Sequence, residues 1–264
     1  IVGRPNVNKS TLINHFLGSE RVLASEVPGT TRDAIDTDFD IGERRYTLID
    51  TAGVRRKRSI SWDLEKFSVM KAFQTIEHAH VVVLMCDAQE GVTDQDARIL
   101  NMAMEHGRAA VIAINKWDLV EKDSGTSGAF VKEFQHRMPL LAHVPIVFIS
   151  AKTGQRSVKL LDIVDQVHVN WQLRITTGPL NRWFVQTTHR QPPPLYKHRA
   201  VRLYYCTQAR SAPPVFVMQT NMDPEAVTTA YRRFLINQLR ANFGFEGCPI
   251  RLKIRKRGKR DLIV

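Results

Sequence analysis

The chain has 264 residues, 43% of them apolar and 24% charged, a globular composition with length enough for two cores of ordinary domain size. No run approaches the ~18 uninterrupted apolar residues of a membrane span, and the first residues lack the basic head and apolar core of a signal peptide. Cys86, Cys206 and Cys248 are odd in number, scattered and free of CxxC spacing, which suggests neither a disulfide framework nor a zinc site; three ordinary half-buried thiols in a soluble protein of a reducing compartment are expected.

The net charge of +12 is unevenly placed. Residues 1–174 hold 22 Lys and Arg against 22 Asp and Glu, whereas residues 175–264 hold 16 against 4. Such a split points to a polyanionic partner for the last third, nucleic acid first, with a merely solvated surface as the plainer alternative.

In chain order, Ile1-Val2 ends a strand directly before a glycine loop. A strand normally needs ~5–6 residues, so part of this one is expected upstream. Ser10 to Leu17 then reads as a helix stopped by Gly18. Ile35 to Ile41 and Tyr46 to Asp50 flank Gly42-Glu43 as a hairpin. Strands are expected at Val81 to Cys86, Ala110 to Ile114 and Pro145 to Ser150, each nearly all apolar, as strands covered on both faces are. Between them lie helices at Asp63 to Glu77, Thr93 to Glu105 with a Thr93-x-x-Asp96 start, and Val158 to Leu173. This alternation predicts an α/β fold, a doubly wound and mostly parallel sheet with helices on both faces and ligands bound beyond the carboxyl ends of the strands.

Composition changes near Thr176-Thr177-Gly178-Pro179, placing a first domain at 1–174 and a second at 175–264. The second should begin with a short helix at Leu180 to Thr187 and a loop at Gln191 to Pro194. Strands follow at Val201 to Cys206 and Val215 to Thr220, then a helix over Pro224 to Ala241 capped by Asp223. Ile250 to Arg255 alternates as a last strand, with Arg251, Lys253 and Arg255 on one exposed face. The expectation is a small α+β domain. No internal repeat is seen.

Gly3-Arg4-Pro5-Asn6-Val7-Asn8-Lys9-Ser10, after a strand and opening a helix, is a phosphate loop in the required context. Backbone amides from Gly3 to Thr11 cradle phosphates at the helix N-terminus, Lys9 reaches the β/γ-phosphates, and Ser10 offers its hydroxyl to Mg²⁺. Asn8 departs from the pattern, standing where the second glycine belongs. Asparagine is the side chain that best tolerates left-handed geometry there, at a cost of ~1–2 kcal/mol. Asp50-Thr51-Ala52-Gly53 ends a hairpin strand, where a carboxylate holds Mg²⁺ through water and the Gly53 amide meets a γ-phosphate. Asn115-Lys116-Trp117-Asp118 and Ser150-Ala151-Lys152 end two further strands, so four motifs converge on one sheet edge. Guanine presents N1–H and N2–H₂, which Asp118 can accept bidentately, and an amide near Ala151 can donate to O6, so GTP is favoured over ATP.

These strings, GRPNVxKST, PGTTRD, DTAG, NKWD and SAK, are similar to the motif set of translation-factor-related GTPases. The longer DTAGVRRK, NKWDLVEKD and PPP…GFEGCPIRLKIRKR resemble the second GTPase domain and KH-like domain of the Der (EngA) family of ribosome-assembly GTPases, over essentially the entire chain. The resemblance implies a P-loop NTPase fold followed by a KH-like domain, a further GTPase domain upstream, and GTP or GDP with Mg²⁺ as bound cofactors. It also implies a switch in large-subunit assembly that engages ribosome and rRNA through the basic domain, in bacterial cytosol or an organelle and not at a membrane. Carried over, Thr31 is the switch threonine on Mg²⁺, with Thr30 as its alternative and Ser10 and Asp50 as the ion's other ligands; Lys9, Thr31 and Gly53 are catalytic. Val54 stands where many small GTPases carry a catalytic glutamine, and Asn6 matches the ligand position for a stimulating K⁺, with a simple turn residue as its alternative.

Other features take plainer readings. Gly244-Phe245-Glu246-Gly247 matches the GxxG string of KH domains but precedes a strand, so a turn is expected and not an RNA-clamping loop. His78, His80, His143, His168 and His189 lack ligand spacing. Arg55 to Arg58 is either an RNA- or phosphate-contacting switch segment or a solvated loop. The rival to a GTPase switch is an RNA or ribosome adaptor whose turnover is impaired by Asn8.

Overall fold

Ala109–Asn115 is buried at all seven positions, and its neighbour Val81–Asp87 at six of seven, so both strands are covered on both faces. They are β5 and β4 of the computed structural model, which describes residues 1–18, 36–49, 75–121, 123 and 125–258, and the backbone alone of 22–25. The chain forms two compact units, 1–168 and 169–264; the composition shift near Thr176 lies a few residues further on.

In the first unit, α1 is Lys9–Gly18, β1 Val22–Ser25, β2 Thr37–Ile41, β3 Arg44–Leu48, α2 Asp94–Glu105, α3 Thr126–Arg137 and β6 Ile146–Phe148, and α4, Ser157–Gln172, begins in it and ends past residue 168. The sheet order is β4-β5-β6, all parallel, and Val2 pairs in parallel with Leu84 on the free side of β4. This is the doubly wound α/β class of P-loop NTPases, and it sets the glycine loop at the carboxyl end of a strand. Alternate residues Val82, Leu84, Cys86, Ala110, Ile112 and Ile114 build one core with Ile99, Leu100, Ala103 of α2 and Phe134 of α3. The intervening Val83, Met85, Val111 and Ala113 are buried as well.

The hairpin β2-β3 turns at Gly42, φ 61°, as read from Gly42-Glu43. Arg44 ties it to α4 through Asp162 at 2.6 Å and Asp165 at 3.0 Å. α2 starts with a complete capping box between Thr93 and Asp96. Among the described strands and α-helices of this unit, two have no counterpart in the sequence reading. One is β1; the other is α3, whose short apolar stripe, Phe130, Val131 and Phe134, packs against the core. Of the helix expected over 63–77, only 75–77 falls within the described residues, and the chain is helical there and at 78.

In the second unit α5 is Thr177–Arg190, longer than expected because Pro179 sits in its first turn, where a missing N–H costs nothing. Strands β7 Leu203–Arg210, β8 Val215–Thr220 and β9 Arg251–Lys256 form a sheet in that order, β7/β8 antiparallel and β8/β9 parallel. Buried Gln208 is satisfied by the segment before α5, accepting from the Ile175 amide at 2.7 Å and donating to the Leu173 carbonyl at 2.7 Å.

The helix expected over 224–241 is broken. Pro224–Ala226 is a single 3-10 turn, Val227 is extended and buried, and α6 runs Thr229–Phe243 behind the cap residue Thr228, whose hydroxyl accepts from the Tyr231 amide. Asp223 makes no cap bond; it pairs with Lys256 at 3.0 Å. The GxxG string is a turn after α6, with Gly244, Phe245 and Gly247 at φ 89°, 66° and 71° and the Phe245 ring buried against Phe216. All three cysteines are fully buried, not half-buried.

Candidate functional site

Gly3 is demanded by its surroundings. Val2 exchanges backbone hydrogen bonds with Val83 and Met85 of β4, and Gly3 follows at φ 145° with its α-carbon so close to that strand that an added Cβ would lie 2.4 Å from the Met85 carbonyl oxygen. Asn6 and Asn8 both take left-handed φ, 65° and 63°. Asn8 is exposed, so the loop forms with asparagine at the glycine position. The Lys9 ammonium folds back and donates to the Gly3 and Arg4 carbonyls, each at 2.7 Å. Burial lowers its pKa, with Asp96 opposing. A cation clasped inside its own loop, at the start of a ten-residue helix, is arranged for an anion.

Three loops are joined by one side chain. Asn115, at the end of β5 and 1% exposed, donates through Nδ2 to the Val7 carbonyl at 2.9 Å and accepts through Oδ1 from the Ala151 amide at 2.8 Å. The phosphate loop, the Asn115–Asp118 segment and the Ser150–Lys152 segment are thereby one connected edge. The Ala151 amide, read from sequence as a donor to guanine O6, is engaged by Asn115 here, so a guanine oxygen has to share or displace that acceptor. Lys116 holds left-handed φ 61° and pairs with Asp87 at 2.5 Å. Burial pushes the Asp87 carboxyl up, but hydrogen bonds from Lys116 and the Gln89 amide together with the Lys116 charge outweigh it, and its pKa falls. Asp118 lies in the 3-10 turn Trp117–Leu119, half-buried beside buried Trp117. Lys152 is exposed, and Gly154, φ 76°, lies against the His15 imidazole of α1, where a Cβ would meet the ring at 2.4 Å.

Ser10 and Thr11 are half-buried in the first turn of α1. Thr31, Asp50 and Gly53 lie outside the described residues, as do Val54 and Arg55 to Arg58. Among the described residues no group of three or more His, Cys, Asp or Glu side chains is set to hold a metal. The donor chemistry of Mg²⁺, hard oxygens with phosphate completing the shell, fits Ser10, and the two other expected ligands, Thr31 and Asp50, lie outside the described residues.

The sequence reading missed what braces the loop. Arg4 reaches Asp96 through Nε at 3.2 Å and Glu90 through Nη1 at 2.5 Å. Asp96 is fully buried and also closes the capping box, receiving the Thr93 amide and hydroxyl. Its helix-start signature was legible, but its second use as a partner for Arg4, 92 residues away, was not.

Comparison with known proteins gives two family matches. Residues 1–116 match the family described as "50S ribosome-binding GTPase", and residues 174–255 that described as "KH-domain-like of EngA bacterial GTPase enzymes, C-terminal". The chain is 49% identical over 259 residues to GTPase Der of Caldanaerobacter subterraneus subsp. tengcongensis, covering 98% of this chain and 59% of that protein. To GTPase Der of Citrifermentans bemidjiense it is 46% identical over 261 residues, covering 99% and 59%. It thus spans about three fifths of the length of these relatives. Among solved structures it is similar to Aquifex aeolicus Era bound to GDP.AlF4-, with a TM-score of 0.47 and 21% identity over 97% of this chain and 91% of that one.

Proposed function

From the premise that the chain belongs to the Der family of GTPases, we propose that its first unit binds GTP with Mg²⁺ and hydrolyses it, and that the nucleotide state governs engagement of the large ribosomal subunit and its rRNA by the basic second unit. The observation that supports this best is the Asn115 bridge, which joins the phosphate loop to both base-side loops. A fold that needed these loops only as turns has no use for a buried carboxamide satisfied at both ends by two of them.

Within the reading each residue has a task. The amides from Gly3 to Thr11 and the α1 N-terminus hold the phosphates, and Lys9 exchanges the Gly3 and Arg4 carbonyls for β/γ-phosphate oxygens. Ser10, Thr31 and Asp50 would hold Mg²⁺, which when bound would supply positive charge to offset that of the phosphates; the Gly53 amide meets the γ-phosphate. Asp118 accepts the guanine N1–H and N2–H₂, Lys116 and the Ser150–Lys152 segment flank the base, and Asn6 contributes an oxygen to K⁺. With Val54 in the glutamine position, the attacking water is positioned by other groups. The setting proposed is the bacterial cytosol, with the functional division at 174/175.

The adaptor alternative rests on Asn8. Its left-handed φ of 63° and its exposure fit a loop that keeps its form with asparagine there, which supports the switch reading over the adaptor. Titration with fluorescent GTP and GDP, followed by hydrolysis in K⁺ and in Na⁺, tests both readings. We expect Mg²⁺-dependent binding, slow hydrolysis faster in K⁺, and loss of both in Lys9→Ala. Binding of neither nucleotide at millimolar concentration refutes the switch and leaves the adaptor.

A further inference from the structure

The sheet of the second unit has two unlike faces. Cys206 and Gln208 of β7, Phe216, Met218 and Thr220 of β8 and Ile254 of β9 are buried on one. The other carries an ordered set of exposed and half-exposed side chains. In register across the three strands stand Tyr205, Gln219 and Arg255, and in the next row Thr207, Val217 and Lys253; Arg251 follows on β9 opposite Val215. Arg251, Lys253 and Arg255 are exposed, Val217 and Gln219 half-exposed, and Tyr205 is 41% exposed. Tyr204, also 41% exposed and next to a register shift in β7, has the Arg257 guanidinium 5.1 Å over its ring.

From this juxtaposition we propose that the open face of β7-β8-β9 is a binding platform for single-stranded RNA, with a base stacked on Tyr205, its edge read by Gln219, and the flanking phosphates held by Lys253, Arg255 and Arg251. The inference rests on the RNA-binding reading of the second unit and adds the site and the kind of RNA. Burying an aromatic ring is ordinarily favourable, so Tyr205, 41% exposed in the open row, gains from a partner that covers it. Unpaired bases offer π-faces to stack on and edges to read, and their backbone offers phosphates. Strand β9, which carries the cations, lies two strand spacings, about 10 Å, from β7, so base and phosphate are met by different strands. Duplex RNA keeps its bases stacked inside and has no use for the tyrosine. An acidic peptide uses the cations but leaves the ring and the amide unused. The Gly244–Gly247 turn takes no part, since its Phe245 is buried in the core.

The test uses the full chain and fluorescein-labelled 12-nucleotide oligouridylate and oligoadenylate, with a 12-base-pair RNA duplex and a decaglutamate competitor, read by anisotropy at several salt concentrations. Wild type is expected to prefer the single strands. Tyr205→Leu and Tyr205→Thr, both acceptable in a strand, should weaken them about 5- to 100-fold with the salt slope unchanged, and Tyr205→Phe should restore binding. Lys253→Gln with Arg255→Gln should instead flatten the log–log salt slope by about 0.7 for each phosphate no longer neutralised. Full affinity in both folded Tyr205 variants, equal affinity for the duplex, or displacement of the RNA by decaglutamate at matched charge overturns the platform while leaving an RNA-binding basic unit. If none of the RNAs binds wild type, the platform and the RNA reading fall together, and GTP binding, measured on the same sample, stands or fails separately.

Discussion

Replacing Asn115 tests whether the nucleotide site is one connected edge. Asn115→Ala removes a carboxamide that is 1% exposed and leaves the Val7 carbonyl and the Ala151 amide without their partners at 2.9 and 2.8 Å. Each buried group left unsatisfied costs ~1–3 kcal/mol, so the loss is about 2–6 kcal/mol, a large share of the ~5–15 kcal/mol that holds a domain folded. Asn115→Asp separates the two halves of the bridge. Its carboxylate still accepts from Ala151 but faces the Val7 carbonyl with an oxygen in place of a donor, so the phosphate-loop side is lost selectively. Urea unfolding followed by tryptophan fluorescence is suited to this, because Trp117 lies two residues away and is buried. The transition belonging to the first unit is the one that added GDP moves. The midpoint should fall for both variants, and fluorescent GDP should bind at least tenfold more weakly to each. An unfolding midpoint and GDP affinity like wild type in Asn115→Ala would mean that the loops are placed independently, and the connected-site reasoning would be wrong.

Asp118→Asn should weaken GTP and move preference toward xanthine nucleotides, whose C2 oxygen needs a donor; competition titration checks this, and unchanged GTP affinity refutes the base assignment. If the nucleotide-bound loop needs left-handed or close-approach geometry at this position, Asn8→Gly tightens GTP about 5- to 30-fold, equivalent to ~1–2 kcal/mol. Its unfolding midpoint should barely move, because relief of the left-handed φ of 63° is offset by glycine's extra unfolded-state entropy; equal GTP affinities remove the main support of the adaptor reading. The thiols of Cys206 and Cys248, each pushed by burial up to about 12, and of Cys86, pushed up likewise, stay protonated at neutral pH. Alkylation by iodoacetamide at pH 8 should therefore be negligible in the native chain and complete in urea, and rapid labelling without denaturant contradicts the burial.

Some features are local in origin, and the sequence by itself determined them. The apolar runs 81–86 and 110–114 declare strands covered on both faces, Thr93-x-x-Asp96 declares a helix start, and Gly42-Glu43 declares a hairpin, because each depends on neighbours a few residues away. The alternation in Ile250 to Arg255 likewise set Arg251, Lys253 and Arg255 on the outer face of β9. The break in the helix over 224–241 is not legible locally, because the buried Val227 needs an extended backbone that a proline-led start does not reveal. What only the tertiary structure decided are the pairings across long separations: Asn115 to Val7 and Ala151, Arg4 to Asp96, Lys116 to Asp87, and Tyr205 in one row with Gln219 and Arg255. A sequence records that a residue is polar and near a strand end. The partner that satisfies it is fixed by which loops the parallel sheet brings to the same edge and by the cost of burying a polar group alone.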